Sequence, residues 1–278
     1  TINMAAVTGA ASGTSSNLTI NTTGAVTVTG AVGTDIGLLT ITNSGGTTFQ
    51  STVDAATTTI TNTTGIVKFE GNLNLTTSLI TANQGYNVSI TGTSNNIAGA
   101  TTFANTGAVT LGNGTNDSTT FAGGLVITAP ASIAIQGTVR TTNATMTLGG
   151  VALNGSTTLN AGTGNINLNG LVSGAFSLSP ITANPGVTTI SGANTNTTTN
   201  VTTGVVQISN TQSTNYVVSG GTLKGTGAIG SLTATGTGII APGNSPGKVT
   251  TTNLSLSSTN TLQIEIQGAS STPVAGTD

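Results

Sequence analysis

Histidine, cysteine and tryptophan are absent from this 278-residue chain, and charge is scarce: 4% of residues are Asp, Glu, Lys or Arg, against roughly a quarter in ordinary globular domains. Without His the commonest general base is missing. Without Cys there is no disulfide framework and no thiolate metal site. Aromatics make up 3%, five Phe and two Tyr, too few and too scattered for the girdles of a transmembrane barrel. No apolar run approaches the 18 or more residues of a membrane helix, so membrane insertion of this segment is not expected. The four basic residues, Lys68, Arg140, Lys224 and Lys248, lie far apart; no patch neutralises several phosphates, which argues against nucleic acid as a partner. Disorder fits poorly as well, because 35% of residues are apolar and the net charge is only -2. With no initiator Met, leader or anchor, Thr1 and Asp278 read as cut points in a longer or processed chain.

What is present is Thr, Asn, Ser and Gly around short alternating stretches: "AVTVTG" (25 to 30), "GLLTITN" (37 to 43), "NVSITG" (87 to 92), "NINLNG" (165 to 170) and "TLQIEIQ" (261 to 267). Period-two alternation rich in Val, Ile and Thr predicts strands, and the polar clusters between them predict turns. No segment keeps helical spacing. One phrase recurs, with its Gly at 24, 65, 107, 164 and 204. The gaps lie near multiples of about 20, in the range of solenoid repeats. A sandwich imposes no such period and normally wants larger core residues. The expected fold is therefore all-β, a parallel β-helix (β-solenoid) of roughly 13 to 14 coils of about 20 residues over a single domain, 1–278, about 60 Å long. Inward Val, Ile and Leu should form columns, with Asn or Thr ladders at the turns. Ile239 is placed facing inward.

Three catalytic patterns crowd into residues 225 to 248. Gly225, Gly227 and Gly230 spell G-x-G-x-x-G, Gly243 to Gly247 spells G-x-S-x-G, and Ser245 to Lys248 spells S-x-x-K. A dinucleotide site needs a following helix and an acidic residue about 20 positions on, but another strand pattern follows Gly230 and no Asp or Glu appears until Glu265. A nucleophile elbow needs a helix after the Ser and a His; Pro246 follows Ser245 and the chain has no His. Pro246 and Gly247 likewise break the helical geometry that S-x-x-K requires. All three read as turn chemistry, so no catalytic, cofactor-binding or metal residue is assigned.

The same region carries a family resemblance. Gly220 to Leu223 ("GGTL"), Gly225 to Leu232 ("GTGAIGSL"), Ala241 to Gly247 ("APGNSPG") and Leu262 to Ile266 ("LQIEI") resemble, in that order, the passenger-associated strand repeat of bacterial autotransporter (type V secreted) proteins, over residues 220–268. The resemblance implies a right-handed parallel β-helix at the bacterial cell surface, outside the outer membrane, with adhesin-like function; the missing catalytic residue types add the expectation that it is not an enzyme. Its partners would be other cell surfaces, extracellular matrix or polysaccharide. The runner-up expectation is a self-assembling subunit of a filament, sheath or surface layer, because solenoid ends expose strand edges and neither terminus reads as a cap.

Asp35 and Asp54 are one coil apart with Lys68 and Glu70 nearby, and paired carboxylates support glycoside cleavage in some β-helices. Their contexts, "GTDIG" and "TVDAAT", look turn-like, and Lys68 with Glu70 reads as an ion pair on one strand face. In "GNGTNDST" (112 to 119) the single Asp117 offers at most a fortuitous calcium site. Phe49, Phe69, Phe103, Phe121, Phe176, Tyr86 and Tyr216 read as core or coil-edge filling rather than a sugar platform. Sequons such as Asn17-Leu18-Thr19 are what chance yields in so Asn- and Thr-rich a chain.

Overall fold

The computed structural model describes residues 1–9, 15–243 and 247–265. They fold as a parallel β-solenoid without helix, about 12 turns with equivalent positions about 21 residues apart. All the strand pairings between named strands are parallel, as stacking of successive turns requires.

Each full turn contributes to three columns of strand. The first runs from Ile2–Met4 through Val26–Val28, Thr47–Phe49, Ile66–Phe69, Asn87–Ile90 and Ala108–Leu111 to the openings of Ser132–Arg140 and Val151–Asn160 and then Val172–Ser173. The second includes Ser94–Ile97, Ser118–Phe121, Ser177–Ile181, Thr198–Val201, Asn215–Val218, Leu232–Ala234 and Leu254–Leu256. The third starts at Ser16–Asn21 and includes Thr101–Phe103, Leu125–Ile127, Met146–Leu148, Ile166–Leu168, Val187–Ile190, Val205–Ile208, Thr222–Gly225, Ile239–Pro242 and Thr261–Leu262.

Alternation within these strands sends one residue set inward to the same column on every turn. Val28, Phe49, Phe69, Ile90, Leu111, Ile135 and Leu153 stack in register and all are buried. In the third column Leu125, Met146, Ile166, Thr188, Val206, Leu223 and Ile240 do the same. Six of the seven aromatics are core residues; Phe176 is 41% exposed.

The described residues make about 12 turns, where 13 to 14 were expected of the whole chain. Coil length varies: Val109 pairs with Ile133 across 24 residues and Tyr216 with Leu232 across 16. Corners absorb that variation, together with register shifts inside the long strands, as between Val32 and Ile36 and between Ile135 and Gly137. Ile239 does not face inward; Ile240 is the buried neighbour, at 3% exposure. Two consecutive isoleucines leave strand parity undetermined, and the pairing Leu223 to Ile240 decides it. Asp35 and Asp54 are not in turns but inside the strands Val32–Asn43 and Val53–Ile60.

The recurring glycine phrase also has a more particular meaning than one column. Gly24, Gly65 and Gly107 lead into first-column strands, whereas Gly164 and Gly204 lead toward third-column strands. Each marks a corner before a strand, and the odd interval from 107 to 164 is a change of corner. At Gly107 the reason for glycine is close approach: a Cβ would collide with the carbonyl oxygen of Tyr86 on the preceding turn.

Candidate functional site

The stretch carrying the three catalytic patterns forms the last turns of the described solenoid. Thr222–Gly225 lies in the third column, Gly227–Ile229 follows, and Leu232–Ala234 returns to the second. Gly225 and Gly227 have φ of 110° and 133°, a region L side chains rarely adopt. They form a corner between strands, and no helix follows, so no dipole faces a phosphate. Gly243 pairs back onto Gly225, its N–H donating to the Gly225 carbonyl at 2.7 Å. Asn244, Ser245 and Pro246 lie outside the described residues, as does Ile266 of the resemblance. Lys248 is exposed.

Beside this corner, on the outer face, a groove of about 450 Å³ is bordered by Thr222, Lys224, Pro242, Gly243, Gln263 and Glu265. It offers one cationic and one anionic side chain with amide and hydroxyl groups. This set can hydrogen-bond a polar ligand; it supplies no arranged nucleophile and base.

Asp35 and Asp54 occupy neighbouring turns, and Glu70, Asp117 and Glu265 lie elsewhere along the solenoid. Val32 pairs with Val53 and Ile36 with Ala55, which puts Asp35 in the irregular stretch between and Asp54 on the adjacent turn. Asp54 Oδ1 accepts a 2.8 Å bond from Asn74 Nδ2 on the turn after. Lys68 and Glu70 belong to another column and form the expected ion pair, 3.3 Å apart and about 40% exposed. Such an exposed pair contributes little. Among the described residues, no three of His, Cys, Asp or Glu are grouped to hold a metal. Asp117 is 6% exposed, and its Oδ2 accepts from the N–H groups of Asn113 (2.8 Å) and Gly114 (2.7 Å). One carboxylate oxygen is thereby engaged in closing its own loop.

Asparagine side chains link successive turns through the backbone. Asn87 Oδ1 accepts from the N–H of Ala108 (2.7 Å), Asn165 Oδ1 from Val187 (2.9 Å) and Asn72 Oδ1 from Ser94 (3.0 Å). In each case an amide at or just before the start of one strand satisfies the first N–H of a strand on the next turn, where the regular ladder has not yet begun.

One interior feature escaped the sequence reading, which filled the core with small aliphatic residues. Asn194, Asn196, Thr199, Gln212 and Thr214 are all at most 5% exposed and lie near the fully buried Tyr216. The Tyr216 hydroxyl donates to Gln212 Oε1, and burial pushes its pKa up. Asn196 Nδ2 donates to the Thr198 carbonyl at 2.8 Å and Thr214 Oγ1 to the Asn196 carbonyl at 2.6 Å. The available signal was "ANTNTTTN" (193 to 200): a polar run that spans inward positions as well as a corner.

The fold defines a class, the parallel β-solenoid with three strand columns per turn. Comparison of the chain with protein-family models, curated proteins and solved structures found no match.

Proposed function

We propose that the chain is a structural and adhesive segment of an extracellular, surface-displayed protein of autotransporter type. The observation that carries this reading is the sequence of residues 220–265, where the resemblance to the passenger-associated strand repeat coincides with successive solenoid turns. The "GGTL" and "GTGAIGSL" segments run into the strands Thr222–Gly225, Gly227–Ile229 and Leu232–Ala234, with Gly225 and Gly227 at the bend between the first two, which supports the resemblance. The near absence of charge and the lack of His and Cys favour a passive scaffold over an enzyme. Its contact surfaces are the outer sheet faces, lined by Thr, Ser and Asn, and the groove beside Lys224 and Glu265; polysaccharide or another cell surface is the partner such polar faces suit.

Surface display is tested on intact source cells by antibodies against the chain combined with protease shaving. Labelling and loss of the chain without cell lysis are expected. Labelling only after lysis contradicts surface display. Adhesion is read separately, from beads coated with the chain: retention on host cells or matrix glycans is expected, and retention no greater than with uncoated beads contradicts the adhesive part.

A further inference from the structure

We propose that the solenoid interior contains a buried water-binding site at the turn that runs through Thr188, Asn194 and Thr199, where enclosed water supplies hydrogen bonds that the protein does not. The inference stands on the core and not on the adhesive reading above. On the preceding turn the three strand columns carry Ile166, Val172 and Leu178 at inward positions. Their partners on this turn are Thr188, Asn194 and Thr199, and all six residues are at most 1% exposed. One cross-section of the core is therefore polar where the turn before it is apolar. On the turn after, Thr188 is followed by Val206 and Thr199 by Tyr216.

The side chains of this layer outnumber the bonds available to them. Neither Oδ1 nor Nδ2 of Asn194 has a hydrogen-bond partner among the described residues, although the residue lies against the Tyr216 hydroxyl. Thr182 Oγ1, Thr188 Oγ1, Asn196 Oδ1 and Gln212 Nε2 are in the same condition, so six of the nine such buried atoms in the described residues fall within residues 182–212. The layer has a centre: Thr199, Asn194 and Gln212 meet at the Tyr216 hydroxyl, whose proton goes to Gln212 Oε1. Asn196 joins it, with Nδ2 3.4 Å from Thr199 Oγ1. An unmet buried amide is costly, and enclosed water is how native cores meet such groups.

Water is the occupant this chemistry fits. Asn196 Nδ2 donates to the Thr198 carbonyl and Gln212 Oε1 accepts from Tyr216, which leaves an acceptor oxygen on the first and a donor nitrogen on the second. Asn194 adds one of each, and the Thr188 hydroxyl serves as either. A cation would face the amide nitrogens and an anion the amide oxygens, whereas water donates two bonds and accepts two. Charge compensation for an ion is also missing, since residues 141–223 include no Asp, Glu, Lys or Arg. Space comes from the same substitutions that bring polarity: Thr188 and Thr199 are smaller than the Ile166 and Leu178 they succeed, in an interior otherwise packed without gaps.

The test uses the full 278-residue chain, in a crystal structure fine enough to show ordered water and in oxygen-17 relaxation dispersion in solution. At least one water enclosed among Asn194, Asn196 and Gln212 is expected in the crystal, and a long-lived water in solution. In Asn194→Leu, folded by circular dichroism, that long-lived signal should diminish and the melting temperature should fall, because Asn196 and Gln212 lose their bridge. A dry layer would behave in the opposite way, melting higher once leucine removes an unmet amide. A wild-type layer without water, or a leucine variant that melts higher with unchanged dispersion, overturns the proposal. Density at metal-coordination distances from the amide oxygens overturns it equally. Should the variant not fold, the wild-type crystal structure decides alone, enclosed water supporting the proposal and a dry layer overturning it.

Discussion

The rings of Phe49 and Phe69 stack with centroids 5.1 Å apart and planes 4° from parallel. The two residues are register partners on successive turns, 20 positions apart in sequence. Their separation is close to the strand spacing of about 4.8 Å, so the ring stack is the backbone stack seen through a side chain. Phe69→Ala is expected to cost about 3–5 kcal/mol by transfer and cavity terms. In a double-mutant cycle with Phe49→Ala the pair should couple by about 0.5–1.5 kcal/mol. Denaturant titration of the four proteins checks both, and additive losses would mean that the rings do not touch.

Strand parity near the C-terminal end gives a second prediction. Ile240→Asp buries an unpaired charge and should destabilise by several kcal/mol. Ile239→Asp, on the outward side of the same strand, should cost less than about 1 kcal/mol. Thermal melts of the two variants decide; the reverse order would put the parity back to the sequence expectation.

Tyr86 is 2% exposed; its hydroxyl donates to the Ile60 carbonyl and accepts from the Ala82 N–H, each at 2.8 Å. Burial pushes its pKa from 10.0 up to about 12. Below the ordinary value the tyrosine is neutral in both folded and unfolded chains. Between the two values the unfolded chain loses the proton while the folded chain keeps it, so stability falls as pH rises and the decline from this residue ends above the folded value. Tyr86→Phe should melt lower at neutral pH, having lost the hydroxyl bonds, and fall less steeply than wild type from pH 10 upward. Equal slopes would show that Tyr86 carries no part of the alkaline limb.

Asp117 holds its loop through two backbone N–H groups. Asp117→Ala should cost about 1–3 kcal/mol by leaving them unmet. Calcium and chelator should leave the melting temperature of wild type unchanged. A calcium-dependent rise abolished by Asp117→Ala would instead make this loop a cation site.

Most of the fold was legible in the sequence because period-two alternation and corner chemistry are local. "AVTVTG" places Val26 and Val28 inward, as found. Burial was less legible than orientation. Leu262 occupies an inward column yet is open, since covering it takes a later turn that local pattern says nothing about. Ile239 and Ile240 show the limit of parity where two apolar residues adjoin. Polar clusters in general suggest turns because amides favour them, while in the structure Asn194 and Asn196 are buried and Asn194 lies against Tyr216. Asp35 and Asp54 were misplaced for a similar reason: flanking glycine and alanine suggested a turn where the strand continues. Gly107 was legible as a repeat marker, but its cause, the Tyr86 carbonyl one turn back, is a contact between turns.

Register between turns is the claim on which the rest depends, and a chain without cysteine allows it to be measured with paired spin labels. Thr27, Thr48, Lys68, Ser89, Thr110, Ala134 and Ala152 follow one another in the first column. Labels at Thr27→Cys and Thr110→Cys are four turns apart, about 19 Å, and labels at Thr27→Cys and Ala152→Cys are six turns apart, about 29 Å, at the strand spacing. Distances that grow with the number of turns in this ratio are predicted. A distance from 27 to 152 equal to or shorter than that from 27 to 110 would contradict the stacked solenoid.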